Sequence, residues 1–220
     1  MDVFLEQLKK KEPELGLTGL ADLYKKIMND YRPPFAKGIY VFIETEDNWA
    51  SSFRAASDLI KKDAATEVFS VYHDKLKGSP GYGKWKDKLE RFVGVARVKY
   101  ITIDNPGEVN TLTESIALIK FAHETKRDSL YLIAPPFHLL RVYMTAASVA
   151  IKRGSDISLF AYPGVPQNFN QVVTHSQGEA KGTRAQIFEK EELPRIKKYS
   201  NQNDILPIRS IMDYMEKRRA

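Results

Sequence analysis

The chain contains no cysteine. That excludes disulfides, a thiolate metal site and a cysteine nucleophile, so any chemistry must come from oxygen and nitrogen groups. Long apolar runs are missing as well. Nothing approaches the roughly 20 residues needed to cross a bilayer, and the opening "MDVFLEQLKKKEPE" lacks the apolar core of a signal peptide. A cytoplasmic protein with no membrane span is the expectation. The familiar site spacings are absent too: no H-E-x-x-H, no G-x-S-x-G elbow, no zinc pattern, no G-x-G-x-x-G, no phosphate loop ending in G-K-[ST] and no D-x-D-x-D-G loop. Two tryptophans and eleven tyrosines form no stacking pattern that argues for nucleic acid.

What is present is ordinary globular material. With 220 residues and 43% hydrophobic content the chain can bury a proper core. Its formal charge of +6 is concentrated: between Lys75 and Lys99 eight basic residues face two acidic ones, so that segment carries the whole excess. Such a segment attracts anions at long range or simply forms a solvated helix face.

Hydrophobic periodicity gives the fold. "LTGLADLYKKIMNDY" (17–31) has helical spacing with Thr18 as N-cap, and Pro33 and Pro34 end it. Strand-length apolar runs then alternate with helical segments: "GIYVFIE", "EVFSVYH", "VKYITID", "SLYLIA" and "ISLFAY" are the strands. Unbroken apolar strands alternating with helices imply a parallel sheet covered on both faces. The expected architecture is α/β, a three-layer α/β/α sandwich of Rossmann-like type with a mostly parallel sheet of about five strands. Residues 1–36 read as a helical N-terminal extension, 37–164 as the core, and 165–220 as a loop and C-terminal helices. The polar stretch "QNFNQVVTHSQGEAKGTRAQ" reads as a long loop or a weak edge strand.

In open parallel sheets, ligands bind beyond the carboxyl ends of the strands. There, "APPFHLLR" (134–141) places His138 and Arg141 three residues apart on one helix face, suited to acid–base work and to clamping an anion. "NTLTES" offers a capping box from Thr111 to Glu114, and in a functional reading Asn110 and Thr111 face a ligand with Glu114 at the rim. Glu44, Glu46 and Asp47 are hard oxygen donors without a calcium-loop pattern, and "GSPGYG" reads as a flexible turn or a phosphate cradle.

These residues resemble the DUF218, or YdcF-like, domain family over about Gly38 to Gly164. "PFHLLR" matches its late His and Arg signature with Phe137, His138 and Arg141. "NTLTES" is similar to its Asn-Thr and Glu signature, mapping Asn110, Thr111, Glu114 and Ser115, and Arg54 matches the arginine of its first helix. Two turns depart from the pattern: "ETEDNW" replaces a Gly-rich turn and "SVYHD" replaces Ser-Gly-Gly. The resemblance implies a Rossmann-like domain that takes adenosyl or nucleotide-like ligands. In this chain it points to a cytosolic bacterial member without the membrane anchor that several relatives carry.

The leading expectation is therefore a small anionic or nucleotide-type ligand at the strand ends, with hydrolase or transferase activity left open. His138 and Glu114 are the catalytic candidates; Asn110, Thr111, Ser115, Phe137, Arg141 and Arg54 are the ligand-binding ones. The cofactor and the oligomeric state are not specified by the sequence. One alternative is a metal-assisted phosphoester hydrolase using Glu44, Asp47 and Glu114 with His138 as acid or base. Another is a non-catalytic nucleic-acid or protein interaction module built on the Lys75–Lys99 segment.

Overall fold

The computed structural model describes residues 3–75, 78–175 and 180–218. Lys77 of the basic segment and residues 176–179 of the polar stretch lie outside them. The strands β1 (Ile39–Val41), β2 (Val68–Val71), β3 (Val98–Ile101), β4 (Ser129–Ala134) and β5 (Ser158–Pro163) form one sheet in the order β3-β2-β1-β4-β5. Every pairing in it is parallel.

Period-two alternation sends side chains to both faces of that sheet, and both faces are buried except at the edge strand β3, where Lys99 and Tyr100 are exposed. Tyr40, Leu130, Leu132, Leu159 and Ala161 enter one core with α1 (Val3–Leu15), α2 (Leu20–Met28), α5 (Thr111–Glu124), α6 (Pro136–Lys152), α8 (Leu193–Asn201) and α9 (Ile208–Lys217). Ile39, Val41, Tyr131, Ile133, Phe160 and Tyr162 enter the other with α3 (Trp49–Lys61) and α4 (Tyr82–Val93). The result is the expected three-layer α/β/α sandwich. Phe4 and Leu8 of α1, with Ile211 and Met215 of α9, belong to the same core as the strands. No helix among the described residues is long and apolar enough to cross a membrane.

Two local readings need correction. Thr18 does not cap α2; its N-cap is Gly19, in the left-handed region at φ 88°. The free N–H groups there are satisfied from α1, where the Glu12 carboxylate accepts from Gly19 N and, at 3.2 Å, from Ala21 N. The capping box of α5 is also shifted by one residue. Asn110 is the N-cap and accepts from Leu112 N and Thr113 N, while the Thr113 hydroxyl accepts from Asn110 N at 2.9 Å. Thr111 and Glu114 are thereby released from capping and turn inward.

The polar stretch holds a small antiparallel hairpin, β6 (Val172–Thr174) with β7 (Lys181–Thr183). Arg184 opens the short helix α7 (Arg184–Ile187), and a π-helical turn, Phe188–Glu192, connects α7 to α8. Arg184 is 2% exposed and fastens this region to the loop after β1, donating to Asn48 Oδ1, Asp47 O, Asn168 O and Gln171 Oε1.

Candidate functional site

The strand order reverses between β1 and β4, which makes their carboxyl ends the topological switch point. A buried charged chain crosses there. Glu44 stands three residues beyond β1, and its Oε1 is joined to His138 Nδ1 in the first turn of α6. His138 Nε2 lies 2.9 Å from Arg141 Nη2, and Arg141 Nη1 donates to Thr111 Oγ1 at 2.6 Å. Arg141 also grips Glu192 through two bonds, Nε to Oε2 at 2.6 Å and Nη2 to Oε1 at 3.1 Å. His175 Nε2 closes the chain on Glu192 Oε1 at 2.8 Å. Glu44, His138, Arg141, His175 and Glu192 are each at most 2% exposed.

Donor chemistry fixes the tautomer. A guanidinium only donates, so His138 Nε2 is the acceptor there and Nδ1–H donates to Glu44. Burial opposes the charge of Arg141, but Glu192 beside it outweighs that and raises its pKa. Burial likewise pushes the Glu192 carboxyl up, yet the Arg141 charge and the bonds from His175 and Arg141 hold it well below the ordinary carboxylate range. Glu114 goes the other way. Buried on the first turns of α5, it accepts from Tyr40 Oη at 3.1 Å and Ile43 N at 3.2 Å, but burial dominates and lifts its pKa to about 8. It is a neutral acid at neutral pH.

The candidates divide accordingly. Thr111, His138 and Arg141 are in mutual contact, and Glu114 is buried behind the loop after β1. Ser115 is buried and donates back to Thr111 O at 2.7 Å, and Phe137 is buried with its ring nearly parallel to that of His138. Asn110 is exposed and engaged in the helix cap. Arg54 is exposed on α3, across the sheet from Arg141. Glu44, Asp47 and Glu114 do not converge: Asp47 Oδ2 accepts from Thr174 N at 3.0 Å, and no group of three metal-binding side chains occurs among the described residues.

Sequence reasoning missed the partners from the C-terminal part, Glu192, His175 and Arg184. Nothing in their local spacing marks them. The burial of Arg141 had a signal, however: α6 is apolar nearly all round, and every residue from Phe137 to Ala150 is buried, the mark of a helix covered on all sides.

Beside this chain a polar cleft of about 440 Å³ opens at the ends of β1 and β2, lined by Thr45, Asp47, Lys75, Ser79, Lys84 and Thr174 among others. A cavity of about 870 Å³ lies at the other end of the sheet, between the C-terminal ends of α5 and α6, away from the buried charges. No family model matches the chain, and no curated protein matches it. The functional reading therefore rests on geometry and on the short motifs.

Proposed function

We propose that the chain is a cytosolic YdcF-like protein that binds a small anionic or nucleotide-type ligand at the carboxyl ends of β1, β2 and β4, with hydrolase or transferase chemistry. The observation that carries this reading is the Glu44–His138 bond spanning the switch point, backed by Arg141. Burying so many ionised groups costs more than well-packed apolar residues would, so stability alone is a poor reason for them. Glu44 Oε2 is buried without a hydrogen-bond partner, which leaves an acceptor for a ligand N–H or O–H. The adjoining cleft carries Lys75 and Lys84 beside Glu46 and Asp47, so it offers both signs of charge to a nucleotide-type ligand. In this reading the ligand meets the unpartnered Glu44 Oε2, and His138, held between Glu44 and Arg141, orients that carboxylate.

A ligand that binds only the folded state raises the melting temperature by mass action. A thermal-shift screen of nucleotides, adenosyl compounds and sugar phosphates is therefore expected to yield at least one dose-dependent shift, reduced by His138→Gln. If no compound shifts the protein at millimolar concentration, the reading fails.

A further inference from the structure

A second pair of reactive residue types meets at the end of β2, apart from the Glu44–His138 chain. His73 is 1% exposed, with Nδ1 3.3 Å from the Val71 carbonyl oxygen and Nε2 2.9 Å from Ser79 Oγ. A carbonyl only accepts, so Nδ1 carries the hydrogen and Nε2 presents its lone pair. The Ser79 hydroxyl then donates to it. This is the order nucleophile, base, orienting acceptor, with a backbone carbonyl as the third member. The loop geometry holds it: Gly81 sits at φ +90°, and a Cβ there would come within 3.2 Å of Lys75 N, so Gly81 packs tightly against the backbone of Asp74 and Lys75. Ser79, itself 4% exposed, lines the polar cleft together with Glu46, Asp47, Lys75 and Lys84. Burial lowers the pKa of His73, opposed by the Val71 carbonyl and the Asp74 charge, which favours the neutral imidazole.

The geometry points to an acyl-transfer site in which Ser79 is the nucleophile and His73 its general base, acting on a small polar ester. Ser79 Oγ bonds to the ester carbonyl carbon while its proton passes to His73 Nε2. The bond from that carbon to the alcohol oxygen breaks, and the alcohol leaves with the proton. Water, giving a proton to His73, then adds to the acyl carbon. The bond to Ser79 breaks and the hydroxyl regains its proton, so ester and water become acid and alcohol. Lys75 and Lys84 line the cleft together with Glu46 and Asp47, so a polar ester suits it, and the site does not depend on the ligand reading above.

The test is covalent. The full chain is treated with an uncharged fluorophosphonate and the adduct is located by peptide mass spectrometry. The expected result is modification at Ser79, absent in Ser79→Ala and about a hundredfold slower in His73→Gln, the scale of a lost general base. Because the chain has no cysteine, Ser79→Cys gives a second readout that leaves His73 itself in place. Its thiol is expected to react with iodoacetamide at neutral pH about tenfold faster than free cysteine, as a thiolate favoured by a neighbouring base does. No adduct on Ser79 together with ordinary reactivity of Ser79→Cys overturns the proposal and leaves the Ser79–His73 bond as a loop fastening. Thermal shifts by phosphates without labelling sink this site alone, whereas labelling without such shifts supports it and sinks only the anion reading.

Discussion

Arg141 is 1% exposed, and its fork is filled by a carboxylate of its own chain. Glu192 thus stands where a ligand carboxylate or phosphate would sit on such a fork, and Arg141 is first of all a structural cation. Breaking one partner of a buried pair leaves the other charge uncompensated, at a cost of about 3–5 kcal/mol. Glu192→Gln is therefore expected to lower unfolding stability by that amount in urea titrations, and a loss under 1 kcal/mol would show the pair to be dispensable. Glu114 makes an opposite prediction. Its pKa is raised from 4.5 to about 8, so the folded state holds a proton that the unfolded chain releases. Its contribution is fully present below about pH 4.5 and is lost as pH rises towards 8. Glu114→Gln keeps an oxygen for Tyr40 and Ile43 but cannot ionise. Its stability relative to the parent should rise between pH 5 and 8 by on the order of a few kcal/mol. Parallel pH profiles for the two proteins would count against a neutral Glu114.

Helix ends show where one-dimensional reading stops. The alternation of apolar runs and helical periods made all five strands of the sheet legible: burial on both faces writes itself into the composition of the inner strands, while the edge strand β3, with Lys99 and Tyr100 exposed, was legible from its place in the alternation. His138, Arg141 and Thr111 were legible as candidates from strand-end position and motif, and they do meet. Glu192 and His175 were not, because Glu192 pairs with Arg141 across 51 positions and His175 with Glu192 across 17, and no local rule reaches that far. The cap of α2 failed for the same reason. Thr18 has the right chemistry at the right place, but Glu12 reaches over from α1 and takes the N–H groups of Gly19 and Ala21. Removing a cap costs about 0.5–2 kcal/mol, and each kcal/mol lowers the melting temperature of a protein this size by about 2–4 °C. Glu12→Ala is expected to fall in that range, while Thr18→Ala changes melting little; the reverse order would restore Thr18 as the cap.

At the scale of the whole molecule the +6 charge has an address. Within the basic segment the lysines are not equivalent. Lys86 is paired with Glu90, and Lys88 Nζ sits 4.7 Å over the Trp49 ring, so both are committed to local contacts. Lys75 and Lys84 are exposed and line the cleft at the ends of β1 and β2, where they stand beside the exposed Glu46 and Asp47. A field that steers an anion acts through charges at the mouth of its site and is screened beyond a Debye length of about 8 Å at physiological salt. Replacing Lys75 and Lys84 together by Gln is therefore expected to slow association of a nucleotide probe several-fold at low salt, by stopped-flow measurement, and to flatten the salt dependence of that rate. The melting temperature should stay put, since neither side chain is buried. The Lys86→Gln and Lys88→Gln pair should do the converse, shifting melting more than the rate. Equal association rates for the parent and the Lys75/Lys84 variant across salt concentrations would show that the cleft does not gather anions, and the excess charge would then be no more than a solvated helix face.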